Sequence, residues 1–422
     1  AGLFDFYTSD SGYAAYGTFS LDGIAHINRT PDWSHYWAIY VNDVSAPMGL
    51  SGNRVEAGDV VRFTYTEYAT GNELTHVNIT VGDVTGSTSP DEPTHGTGPN
   101  TATIRWSTEV TESPDGSPLI YDGKVYITTW PDMFFSETDQ EMYLYSFDAG
   151  TGAPGWKNTL ADGYGSVAPL AVGAGKIFAR GTNGVLYAVD ALSGVTAWSA
   201  PLDDTALLTP WSDVNSGPCV WNDRLFVLST LNGTLNVFSL DGDLMYQKET
   251  AGNITYFTTP VGNGNTVYFA GNGTHTLYAI DDLAYQERWN VTTGGLIRSS
   301  PVCGDGMVYF STDDLLCAVN ATDGSAEWSV PIGGTTGTPA LKDGLLYVGE
   351  TDGLHCYDAA TGAEEWHFTS GKVSVSPTTD AANVYFATSN AAGTVYALDA
   401  GSGDEIWHYT QTAPTDGNWA SF

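Results

Sequence analysis

The chain has 422 residues, with 14 Lys+Arg against 49 Asp+Glu and a net charge of 14 − 49 = −35. Nucleic acid and anionic lipid are thereby excluded as default partners, because both need a basic surface to neutralise them. At 42% hydrophobic and 13% aromatic the sequence is too apolar to stay unfolded, while 49 Gly and 19 Pro punctuate it too often for a mainly helical fold. No apolar run approaches the ~18–20 residues of a membrane helix. The chain opens on Ala1 rather than Met, as after removal of an export signal, so an extracellular or cell-surface location is expected.

From the N-terminus, the first expected element is a short helix around 17–27, ended by Thr30-Pro31. The run from Tyr36 to Asn42 then alternates as a strand, Gly58-Asp59 introduces a second strand from Val60, and Leu74 to Val81 reads as a third. Tyr36, Trp37, Tyr40, Val41, Asn42, Gly58, Asp59, Phe63 and Tyr65 together resemble the small C-terminal domain of transcobalamin. The resemblance implies an α+β domain at 1–83 of a kind found in secreted archaeal, methanogen-type surface proteins, with corrinoid binding as one alternative. Residues 84–103 carry almost no large apolar side chain and read as a Pro/Gly/Thr-rich linker.

Residues 104–422 repeat themselves. The series Asp148, Gly152, Trp156 returns as Asp190, Gly194, Trp198, as Asp358, Gly362, Trp366 and as Asp399, Gly403, Trp407. Asn320, Gly324, Trp328 keeps the pattern with Asn for Asp; Asp281 and Trp289 flank Tyr285 where Gly is expected; the copy near Asp241 has Tyr246 in place of Trp. A proline opens each copy (Pro118, Pro169, Pro218, Pro260, Pro301, Pro339, Pro377) at spacings of 51, 49, 42, 41, 38 and 38 residues. Inside the sixth copy, short apolar runs at 338–341, 345–349, 354–357 and 365–368 are separated by turns holding Asp343-Gly344, Asp352-Gly353 and Thr361-Gly362. Such pairs take the positive φ that tight hairpins require. Four strands per copy, seven times over, predict a seven-bladed β-propeller. An eight-bladed ring ranks second, because the segment around Trp106 looks like an extra outer strand and Trp419 to Phe422 like the start of an inner one.

The Asp–Gly–Trp copies resemble the tryptophan-docking repeats of quinoprotein-type, PQQ-like propellers over about three quarters of the chain. The resemblance implies that Trp106, Trp156, Trp198, Trp289, Trp328, Trp366 and Trp407 pack between blades. It also supplies a test for catalysis, since quinoprotein dehydrogenases carry adjacent cysteines, a calcium held by carboxylate and amide, and a basic residue beside the quinone. Cys219, Cys303, Cys317 and Cys356 are not adjacent and fit no metal spacing. A chain that is not an enzyme and holds no cofactor is therefore expected, with a quinone- or metal-dependent dehydrogenase as the alternative.

Other features point to the surface. An insertion in the first copy bears Met133, Phe134 and Phe135, and another between copies two and three bears Trp211; both are candidate partner contacts. Asn28, Asn78, Asn232, Asn253, Asn272, Asn290 and Asn320 open Asn-x-Ser/Thr acceptors, candidates for covalent glycans. The acidic balance suggests Ca²⁺ or Mg²⁺ bridging acidic loops. The expected function is a secreted, non-catalytic docking or assembly scaffold that self-associates or binds a protein, as in a surface layer or filament. A glycan- or corrinoid-binding module is a further alternative.

Overall fold

The computed structural model describes the backbone of strands within 6–80, then residues 101–110, 117–129, 141–162, 168–181, 184–202, 216–229, 233–249, 258–271, 274–334, 337–388 and 393–410. The chain divides into two compact units, Ala1–Gly86 and Ser87–Phe422.

The first unit contains two antiparallel sheets. Phe6–Ser9, Ser20–Ile24 and Ile27–Asn28 form one, and Val44–Ser45, His35–Val41, Val60–Glu67 and Glu73–Thr80 form the other in that spatial order. The helix expected around 17–27 is replaced by the strands Ser20–Ile24 and Ile27–Asn28. The alternation Leu21, Gly23 against Ser20, Asp22 has period two, and Gly23 opposes a helix interior.

Seven four-stranded antiparallel sheets make up the second unit, each a meander in chain order, at 119–162, 171–201, 219–248, 261–292, 302–331, 340–369 and 378–410. They are the seven blades of a propeller, so the eight-bladed alternative falls among the described residues. No strand forms within 101–110, and 419–422 lie outside the described residues.

Local sequence sets each blade. First and second strands are joined by two-residue turns such as Asp122-Gly123, Asp305-Gly306 and Asp343-Gly344, with φ of 47° and 69°, 52° and 77°, and 48° and 78°. Two successive positive φ values give the turn whose twist matches a hairpin. Both faces of a blade meet a neighbour, so its middle strands are apolar on both sides. Tyr309, Leu316 and Ala318 of blade five pack with Leu346, Val348 and Tyr357 of blade six, whose other face brings Leu354 and Cys356 against Val384 and Phe386 of blade seven. Each fully buried leucine contributes roughly 1.5–3 kcal/mol.

Indoles sit at the seams. The Nε1 of Trp156, Trp198, Trp289 and Trp328 donates to the carbonyl oxygens of Ala191, Leu240, Ala321 and Ala359, each in the turn of the next blade, at 3.0–3.1 Å. Trp106, although outside any strand, does the same to Ala149 of blade one at 3.0 Å. Under four of these rings and Trp366 lie Gly152, Gly194, Gly324, Gly362 and Gly403, with φ between 71° and 74°. A Cβ on any of them would come within 2.4–2.7 Å of an indole atom. Trp407 is half-buried, its ring 6.0 Å from that of Tyr385.

The seam between blades three and four uses a different solution. Tyr246 replaces the indole, Tyr285 replaces the glycine at a φ of 55°, and the two rings stack at 4.7 Å. Trp221, on the first strand of blade three, donates instead to the Gly264 carbonyl at 3.0 Å.

Candidate functional site

Superimposing the blades in sequence shows where one departs from the rest. At the end of the second strand in blade four, and one residue beyond it in the others, stand Thr129, Gly181, Ser229, Gly271, Thr312 and Thr388 in six blades, but Glu350 in blade six. Three residues before the end of the third strand stand Tyr145, Tyr187, Asn236, Tyr278, Cys317 and Tyr396, but His355 in blade six. Neither change helps the frame, since it swaps a small or aromatic residue for a charged or titratable one.

Blade six comprises Ala340–Lys342, Leu345–Gly349, Gly353–Asp358 and Glu364–Thr369. The backbone N–H of Glu350 donates to Gly353 O at 2.8 Å, closing a tight turn that carries Asp352. His355 lies on the strand leaving this turn, directly across from His367 on the outer strand. The rings of His355 and His367 stack at 5.4 Å.

The Glu350 carboxylate is only 4% exposed. Its Oε2 accepts the Gly333 N–H at 2.5 Å from the loop entering the blade, and its Oε1 accepts the Tyr357 hydroxyl at 2.6 Å. Two donors offset part of the cost of taking a carboxylate out of water. Around it, His355 Nε2 is 2.9 Å from Asp352 Oδ1, its Nδ1 is 2.9 Å from Glu364 Oε1 and 3.9 Å from Glu350 Oε1. Glu364 also reaches His367 Nδ1 at 3.4 Å.

One imidazole thus faces three carboxylates. Burial alone would lower the His355 pKa, but the Asp352 hydrogen bond, the Glu350 charge and the Glu364 hydrogen bond outweigh it and raise the value above its ordinary one. The same contact with His355 holds Asp352 below its usual range. Burial first, and then donation to Glu350, pushes the Tyr357 hydroxyl up. Oxygens of Glu350 and Asp352 and a ring nitrogen of His355 lie within 4.8 Å of one another, the residues able to hold a metal ion among those described.

The other expected site residues are scattered. Met133, Phe134, Phe135 and Trp211 lie outside the described residues, as do Asn232, Asn253 and Asn272. Asn28 and Asn78 fall on strands of the first unit. Asn290 is exposed with its amide donating to Glu287 at 2.6 Å, whereas Asn320 is half-buried and its Oδ1 accepts the Thr322 N–H at 2.9 Å in a tight turn. Cys303 and Cys356 are buried, and burial pushes both thiols up, Cys356 to about 12.

A second group of residues, absent from the sequence reading, concerns the surface. The position two after the repeat Asp or Asn is Gly150, Thr322, Ala360 and Gly401 in blades one, five, six and seven, but Leu192 in blade two and Leu283 in blade four. These leucines are 79% and 58% exposed. Val195 of blade two is exposed as well, as are Leu244 and Met245 of blade three, which lies between blades two and four, and Met245 Sδ lies 4.0 Å from the Tyr285 hydroxyl near Leu283. Comparing copies would have revealed them; searching for long insertions did not.

Comparison with known proteins matches the two ends of the chain to different families. A repeat family, PQQ_2, described as outer membrane protein assembly factor BamB, matches residues 75–281, 246–333 and 331–419. A domain of unknown function, DUF4430, matches residues 3–67. No curated protein matches the chain. Among solved structures, BamB from Moraxella catarrhalis is 18% identical with a TM-score of 0.52, over 74% of this chain and 87% of that one. A europium-containing methanol dehydrogenase is 13% identical with a TM-score of 0.59, over 73% and 80%. Quinohemoprotein alcohol dehydrogenase ADHIIG from Pseudomonas putida HK5 is 14% identical with a TM-score of 0.53, over 74% and 69%. At these identities the likeness shows the fold alone.

The PQQ-like repeat expected from the Asp–Gly–Trp copies is therefore found. The expectation that the chain is not an enzyme is overturned: two of these structures are dehydrogenases, so the fold is compatible with catalysis. Distant cysteines are no ground for excluding it. The blade-six cluster itself does not fit a quinone bearing carboxylates, because Glu350, Asp352 and Glu364 would repel one.

Proposed function

We propose, starting from a chain that belongs to the PQQ_2 family of repeat propellers, that this protein works outside the cytoplasm as a docking unit for a protein partner. The observation that carries this reading is the row of exposed apolar side chains at Leu192, Val195, Leu244, Met245 and Leu283 on blades two to four. The repeat offers small residues at the corresponding turns, so nothing in the fold requires leucine there. Exposed apolar side chains that cluster on neighbouring elements mark an interaction surface, and burying two leucines and a methionine would contribute roughly 1.5–3 kcal/mol each. The family's description as an assembly factor supports a role in protein contact. With a net charge of −35, the partner presents an apolar spot with basic flanks.

The test is Leu192→Thr combined with Leu283→Thr, which borrows the residue blade five uses at this turn. In cells that make the protein, the unaltered chain is expected to sediment within a larger complex and the double variant as a free chain. Unchanged sedimentation of the variant contradicts the reading.

Catalysis is the second reading, favoured by the convergence of Glu350, Asp352 and His355 in one blade and by the dehydrogenases among the similar structures. Alcohol-dependent dye reduction by the natively purified chain would support it, with a redox group seated away from blade six if Glu350→Thr leaves the rate unchanged; absence of dye reduction speaks against it.

A further inference from the structure

We propose that Glu350, Asp352 and His355 of blade six form a binding site for a divalent transition metal of the zinc type. The proposal rests on the site of the catalytic reading, but not on any reaction there.

Blade seven supplies the internal control. Its outer strand also carries a Glu–His pair, Glu405 and His408, with Oε1 and Nδ1 2.6 Å apart. Across from His408 stands Tyr396, and the position of Glu350 is Thr388, whose hydroxyl accepts the Thr394 N–H at 3.2 Å and so serves its own turn. The Glu–His pair alone is therefore a feature two blades share. Blade six adds to it the two residues that convert a surface pair into a converging donor set: a buried carboxylate anchored from behind by Gly333 and Tyr357, and an imidazole one strand inward.

The donor arrangement fits a metal centre in its outer shell as well. Glu364 Oε1, 2.9 Å from His355 Nδ1, would accept that nitrogen's proton once Nε2, 2.9 Å from Asp352 Oδ1, binds the ion. A carboxylate behind the non-ligating nitrogen of a metal-binding histidine orients the ring and raises its basicity. Binding then exchanges the Nε2 proton for the cation, and two carboxylates with one neutral imidazole balance a divalent charge. Imidazole suits zinc, copper and nickel, whereas Ca²⁺ and Mg²⁺ prefer all-oxygen sets. The class of ion thus differs from the Ca²⁺ or Mg²⁺ expected on acidic loops.

The experiment is equilibrium dialysis of the full, untagged chain against Zn²⁺ alone, with elemental analysis. His355→Tyr and Glu350→Thr place at each position a residue that other blades carry, so the frame is kept. One tightly held zinc per chain is expected. Each substitution should weaken binding by at least the ~10–100-fold that even outer-shell changes cost, and a hundredfold excess of Ca²⁺ should leave the zinc in place. His408→Ser in blade seven should change nothing. Absence of bound zinc, equal binding by His355→Tyr, or displacement by Ca²⁺ would overturn the proposal. Because the readout is bound metal, it stands or falls separately from dye reduction.

Discussion

Blades six and seven are adjacent copies of one design and differ in what they do with it. Both have the Asp turn, the positive-φ glycine, an outer-strand tryptophan and a Glu–His pair. Blade seven spends its remaining positions on the frame, with Thr388 closing a turn and Tyr396 stacking on Phe386 at 5.1 Å. Blade six puts Glu350 and His355 there and gathers charge around one imidazole. A repeat thus separates two kinds of residue: those every copy needs for docking to its neighbour, and those one copy can change because its neighbours already hold it.

The largest way to break the comparison is at the seam. Trp328→Ala, which removes the ring from the turn of blade six, should cost about 3–5 kcal/mol in denaturant unfolding. A cost below 1 kcal/mol would show that the indole is not part of the frame. Next comes Gly362→Ala, where the added Cβ would lie 2.6 Å from the Trp328 ring at a φ of 71°. More than about 1 kcal/mol should be lost, and much less of that loss should appear in a Trp328→Ala background, because the clash is gone.

A finer contrast separates the two seams. Trp328 Nε1 donates to Ala359 O at 3.0 Å, whereas Trp366 Nε1 is buried without a partner and the Tyr347 hydroxyl takes the equivalent Ala400 O at 2.9 Å. Trp328→Phe should therefore cost about 1 kcal/mol more than Trp366→Phe. Equal costs would mean that the indole hydrogen bond adds nothing beyond ring packing.

The smallest effect is on pH. Asp148, Asp190, Asp281 and Asp399 have depressed pKa values, chiefly through hydrogen bonds from Thr151, Ser193, Ala284 and Ser402 in the turns they cap. A carboxyl whose folded pKa lies below its unfolded one stabilises the fold above the unfolded value of about 4 and loses that contribution as pH falls through the folded value. Melting temperature should thus decline below about pH 4, and Asp399→Asn should flatten part of the decline. A melting temperature that rises on acidification would contradict the assignment.

The frame was legible because it is written seven times: Asp148, Gly152 and Trp156 each have a local cause, and their recurrence fixes four strands per blade. The strands at 20–28 were misread as a helix because a single short segment offers no second copy to check its period. Glu350, Asp352 and His355 lie within six residues of one another, yet match no metal motif. Only the strand register that sets His355 opposite His367, and the loop that brings Gly333 to Glu350, makes them a cluster. Leu192 and Leu283 are single apolar residues in polar turns, unremarkable until the turns of other blades are laid beside them.

The docking surface is open to one direct measurement. A photo-crosslinking residue placed at 192 or 283, and separately at the equivalent turns 360 or 401, should be activated in cells that make the protein. A discrete crosslinked protein from 192 and 283, with none from 360 and 401, is the expected result. Equal crosslinking from all four positions, or none from any, would contradict a docking surface on blades two to four.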